Sequence, residues 1–137
     1  MNEEGYEHAV VSDAAYNFYE HGEDHAQTEL DNRLKGYTID PELSDDHAVT
    51  VLTPTGNAII GYRGTDPWNI YDIGADALIL SGYHREKMNI LPFTRFERAS
   101  DHFTHVSNKY DVSSVTGHSL GGSVSDFVGR KHDVNAY

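Results

Sequence analysis

The run Val115-Thr116-Gly117-His118-Ser119-Leu120-Gly121-Gly122-Ser123 constrains this chain more than any other stretch. Residues 111–116 are β-rich and read as a buried strand. Leu120, Val124, Phe127 and Val128 recur at helical spacing just beyond. Between strand and helix lies a very tight turn with Ser119 at its tip. A serine at such a turn has a strained backbone, and the positions two residues to either side crowd together. Gly117 and Gly121 occupy those positions, so no Cβ obstructs the approach of strand to helix. The turn also puts Ser119 where free helical N–H groups and the positive dipole end favour a developing oxyanion. The spacing is that of a G-x-S-x-G nucleophile elbow, with Gly117, His118 and Gly121 framing the serine.

The rest of the chain narrows the classes available. Its 137 residues suffice for one domain with a real core, and we read 1–137 as a single domain or a piece of one. There is no cysteine, which removes disulfides, thiolate metal sites and a cysteine nucleophile. With 22 acidic against 10 basic residues the net charge is −12, a field that repels phosphate backbones and disfavours nucleic acid as a partner. No apolar run follows Met1-Asn2-Glu3-Glu4-Gly5. The expectation is a chain without a secretory signal or membrane span, cytoplasmic or particle-associated rather than classically secreted.

Periodicity supplies the remaining elements. A helix is expected over 7–20, with Tyr6, Ala9, Val10, Ala14 and Phe18 as its stripe, and a more polar one over 24–34. Strands are expected over 37–40, 47–53 and 58–63, the last two joined as a hairpin by Pro54-Thr55-Gly56-Asn57. A partly exposed helix over 68–80 and an irregular stretch over 82–91 follow. The helix over 92–109 is the clearest, with Phe96, Ala99, Phe103 and Val106 facing the core. The last residues, 133–137, look like one more strand. His21 and His25, and His102 and His105, have ligand-like spacings, but both pairs read as solvated, and no metal or other cofactor is expected. Asp126 and Arg130 are expected to form a surface pair at i, i+4.

A serine hydroxyl needs a base, an orienting carboxylate and an oxyanion hole before it can attack. One donor of such a hole is the backbone N–H after the nucleophile, here Leu120. A second comes from a loop at the end of an earlier strand, where Arg63-Gly64-Thr65 lies. These two motifs stand in the order Ile59-Ile60-Gly61-Tyr62-Arg63-Gly64-Thr65, Trp68 with Asp72 and Asp76, a long helix, and the Ser119 elbow. In that order and spacing the chain, from Val49 onward, resembles the class 3 lipase family. The resemblance implies an α/β-hydrolase fold with a mostly parallel sheet and flanking helices, here without its C-terminal strands and helices. It implies action on lipid or small carboxylic esters, with Ser119 as nucleophile, Thr65 and Leu120 as oxyanion donors, and residues 68–80 at the position of the lid that covers the acyl site; transient contact with a lipid surface is expected besides.

The chain departs from that family in three respects. Asn89-Ile90-Leu91-Pro92-Phe93 replaces a frequent His-x-Gly-Phe, and the lid region is rich in aspartate. The family's acid and base also follow the strand that begins at Val134, in the order Ser…Asp…His. Neither His132 nor Asp133 is expected to replace them, since the helix from Leu120 carries them about 15 Å from Ser119. His118, His84 and Asp66 likewise earn no triad role. The rest of a longer chain, or a protein partner pairing with the sheet after Tyr137, is expected to supply acid and base. The alternative is a non-catalytic structural or binding module on a truncated scaffold. On either reading residues 1–137 alone should hydrolyse p-nitrophenyl butyrate no faster than their Ser119→Ala variant; clear turnover above that control would reveal a base within them.

Overall fold

The computed structural model describes residues 3–63 and 90–137. In chain order the described elements are α1 (Glu3–His21), α2 (Glu23–Arg33), β1 (Thr38–Ile39), a 3-10 turn (Pro41–Leu43), β2 (Ala48–Leu52), β3 (Ala58–Tyr62), α3 (Ile90–Ser107), β4 (Val112–Gly117), α4 (Leu120–His132) and β5 (Asn135–Ala136). The strands form one sheet in the order β1-β2-β3-β4-β5. The expected elements that fall within the described residues are present, with ends shifted by a few residues. Glu3 and Glu4 extend α1 toward its N-terminus, where acidic side chains suit the dipole. Helix α3 starts two residues before Pro92, which the first turn tolerates.

The chain is an α/β protein with a mixed sheet, so the expectation of mostly parallel strands is corrected. β1 with β2 and β2 with β3 run antiparallel, while β3 with β4 and β4 with β5 run parallel. Connection length decides this. Segments 40–47 and 53–57 are too short for the crossover of about a dozen residues that parallel pairing requires. The β2–β3 register pairs Val51 with Ile59 and Thr50 with Ile60, as the hairpin read from the sequence demands.

The two sheet faces carry separate cores. On one, Val10, Val11, Ala14 and Ala15 of α1, with Ala26 and Leu30 of α2, pack on Ile39, Val49, Val51 and Ile59. On the other, Ala99, Phe103 and Val106 of α3 and Val124 and Val128 of α4 pack on Ala48, Ile60, Tyr62 and Val115. Strand β3 is buried along its whole length between them. Helix α1 lies so close to it that a Cβ on Gly61 would stand 2.7 Å from the Val11 carbonyl oxygen.

The face that α1 turns to the sheet differs from the expected stripe. Tyr6 is exposed and Ala9 only partly buried, whereas His8 and Ser12 are buried. Their polar atoms find partners on β4. His8 Nδ1–H donates to the Glu4 carbonyl at 2.6 Å, which leaves Nε2 to accept from Ser114 Oγ at 2.7 Å. Ser12 Oγ pairs with Thr116 Oγ1 at 3.0 Å. Buried polar side chains are tolerated when bonded in this way, and hydrophobic patterning alone does not foresee them.

Asp40 is a second long-range polar joint. Its Oδ1 accepts from the Glu42 N–H at 3.0 Å and caps the 3-10 turn. Its Oδ2 accepts from Tyr110 Oη at 2.8 Å and Lys109 Nζ at 3.2 Å, tying the end of β1 to the loop before β4. Burial by itself would raise this carboxyl, but the bonds from Tyr110 and Lys109 outweigh it and hold Asp40 below the usual carboxylate range.

Candidate active site

The site is built where β4 ends. The parallel pair β3 and β4 carries the chain to Tyr62 and Gly117, and ligands of open α/β sheets gather beyond such carboxyl ends. After Gly117 the backbone turns through His118 and Ser119 into α4. Ser119 has φ 56° and ψ −123°, a left-handed conformation rare for a residue with a side chain. Its side chain is exposed, and its carbonyl accepts the N–H groups of Gly122 at 2.9 Å and Ser123 at 3.3 Å, which closes the first turn of the helix.

Both flanking glycines are required by contact. A Cβ on Gly117 would run into the Gly121 carbonyl and stand 2.9 Å from the Gly122 nitrogen. A Cβ on Gly121 would run into the Tyr62 carbonyl oxygen and stand 3.0 Å from the carbonyl carbon of Arg63. All these atoms are backbone, so none can swing aside. The turn therefore has the geometry its spacing predicts. The N–H of Leu120, first residue of α4, is among the helix donors that have no intrahelical acceptor.

Arg63 continues from β3 and is 7% exposed. Its N–H donates to the His47 carbonyl at 2.8 Å, and its Nε donates to the Asp46 carbonyl at 2.7 Å. The guanidinium stands 4.1 Å from the centre of the Tyr19 ring, a favourable place for a cation. The Arg63 carbonyl in turn accepts from the Arg95 guanidinium of α3. No signal in the sequence marked Arg95. Thr65, Asp66, His84 and the expected lid over 68–80 lie outside the described residues.

The histidines take separate places. His118, next to Ser119, points its Nε2 toward Asp13 at 3.7 Å, and Asp13 also accepts from Arg33 Nη1 at 2.6 Å. His21 and His25 are exposed, with ring centres 4.4 Å apart. His132 bonds Ser100 Oγ at 2.9 Å and stacks on Phe103. His105 is exposed, as expected, but His102 is not a solvated residue. It is partly buried, and its Nε2–H donates to the Leu43 carbonyl at 2.7 Å. The helical spacing of 102 and 105 could not show this, because the acceptor comes from the 3-10 turn far away in sequence. Among the described residues no group of three or more His, Cys, Asp and Glu could hold a metal, and no helix is long and apolar enough to cross a membrane. Asp126 and Arg130 form the expected surface pair at 3.1 Å.

Burial lowers the affinity of His47, His102 and His132 for a proton. At His47 the nearby Asp46 opposes this and Arg98 adds to it. At His102 the Leu43 bond and Asp45 oppose it, while His105 and Arg98 add to it. The unfolded chain then takes up protons near pH 6.5 before the folded chain does. Their contribution is therefore fully present above that pH and is lost as pH falls through the lower folded values. Urea midpoints at pH 7.5 and 5.5 should show a smaller loss in His102→Gln, which keeps a donor for Leu43, than in the unchanged protein. An equal or larger loss in the variant would contradict the assignment.

No family model, curated protein or solved structure matches this chain. What it can do is therefore argued from the elbow itself: an exposed serine on a strained turn, at a helix N-terminus, at the carboxyl end of a parallel strand pair.

Proposed function

We propose that this chain carries the nucleophile of a serine ester hydrolase on an α/β-hydrolase scaffold, of the class 3 lipase type and acting on carboxylic esters of lipids. The observation that supports this reading is the backbone of Ser119, held at positive φ between two glycines that backbone contacts require. Strain of that kind, about 1–3 kcal/mol, persists where the surrounding structure over-determines it, and such positions cluster at active sites. A plain strand-to-helix junction has no need of it.

In this mechanism Ser119 Oγ attacks the ester carbonyl carbon, and its proton passes to a base oriented by an acid. The carbonyl oxygen becomes an oxyanion that accepts from the Leu120 N–H, with Thr65 as second donor by resemblance. Collapse expels the alcohol and leaves an acyl group on Ser119, which water then removes. The acid and base come from outside the described residues or from a partner. The experiment is labelling of the full-length protein with a fluorophosphonate. Modification of Ser119, lost in Ser119→Ala, is the expected result. A full-length protein that carries an acid and a base yet takes no label would overturn the enzyme reading in favour of a binding module.

A further inference from the structure

We infer that Arg95 is a positioning residue for Ser119, acting through the carbonyl of Arg63. The inference rests on the reading of Ser119 as a nucleophile, but its structural part is independent of that reading. Gly121, two residues after Ser119, packs on the backbone of 62 and 63: a Cβ there would stand 3.0 Å from the Arg63 carbonyl carbon and 3.1 Å from its oxygen. This carbonyl is thus a wall of the elbow. It lies just past the last residue of β3, where the β2–β3 ladder ends. Among the described residues, groups on two sides secure the residue that carries it. On one side the Arg63 N–H and Nε bond the His47 and Asp46 carbonyls, with the guanidinium over Tyr19. On the other, the Arg95 guanidinium reaches from α3 to the oxygen itself. Arg95 therefore connects α3 to the wall against which the turn of Ser119 is set.

Charge-assisted bonds to a carbonyl are stronger than neutral ones, and a displacement of the order of 1 Å at a reacting group can lower a rate about a hundredfold. In the full-length protein, Arg95→Met should slow fluorophosphonate labelling of Ser119 and lower kcat for p-nitrophenyl butyrate by about tenfold to a hundredfold. KM should be unchanged. Arg95→Lys should recover part of the loss, because an ammonium can donate to the same oxygen as a point charge. Hydrogen exchange supplies a readout that needs no activity. The amides of Gly122 and Ser123, which bond the Ser119 carbonyl, should exchange faster in Arg95→Met, while those of Val115 and Val128 keep their rates. Unchanged exchange at Gly122 and Ser123, or an equal rise at all four, would overturn the inference. Wild-type labelling kinetics in Arg95→Met, with Ser119→Ala unlabelled, would overturn it while leaving the proposed function standing. A wild-type protein that takes no label would remove the function, and the exchange comparison would still decide whether Arg95 holds the turn.

Discussion

Gly121→Ala is expected to destabilise this protein by about 3 kcal/mol or more, at the upper end of what overpacking costs. The added methyl would meet the carbonyls of Tyr62 and Arg63, at the end of the strand buried between both cores. Relief requires moving α4 away from β3 or distorting β3 itself. Gly117→Ala should be as severe, since its methyl would meet the Gly121 carbonyl and the Gly122 nitrogen. Gly122→Ala is the control. Its nearest obstacle is the Gly117 oxygen at 3.2 Å, a contact that yields with a shift of a few tenths of an ångström. Alanine is also the better helix former by about 1 kcal/mol. Urea denaturation of the three variants should leave Gly122→Ala close to the parent and move the other two far below it. Similar midpoints for Gly121→Ala and Gly122→Ala would mean that the elbow is not packed as described.

The second large effect sets function against stability. Ser119 holds φ 56° and ψ −123°, where a residue with a Cβ is strained by about 1–3 kcal/mol and glycine is not. Glycine loosens the unfolded chain, which takes back about 0.4–1 kcal/mol. Ser119→Gly should therefore be more stable than Ser119→Ala by about 0.6–2 kcal/mol, the difference between those two figures. Comparing the two variants with each other cancels the loss of the hydroxyl. Both should be unreactive toward a fluorophosphonate. Thermal melts that place the alanine variant level with or above the glycine variant would show that the turn is relaxed, and would remove the main support for a nucleophile at this position.

The elbow was legible in the sequence because its determinants are local. Gly117 and Gly121 are separated by a fixed number of bonds, so their crowding around Ser119 follows from the turn alone. The hairpin over 53–57 and the apolar stripes of α3 and α4 were legible for the same reason. Alternation, helical spacing and turn residues act within one or two turns of chain. The hairpin already implied an antiparallel pair, and the expectation of a mostly parallel sheet gave it too little weight beside the fold implied by resemblance.

The long-range polar joints were not legible. His8 and Ser12 lie on the buried face of α1 only because Ser114 and Thr116, more than a hundred residues later, offer them partners. Asp40 looked like the ragged end of a strand, yet Lys109 and Tyr110 make it a buried junction. His102 looked solvated until the Leu43 carbonyl met it. Arg95 lay in a helix with no motif around it and reaches the strand end beside the turn of Ser119. The sequence by itself determined the α/β alternation, the acidic character and the serine at the tip of its turn, because periodicity, charge and close contact along the chain need no third dimension. Only the tertiary structure decided which polar groups are buried, and how the carbonyl beside the elbow is held. A hydrogen bond that crosses the sheet depends on two distant segments arriving together, and nothing in either segment alone specifies it.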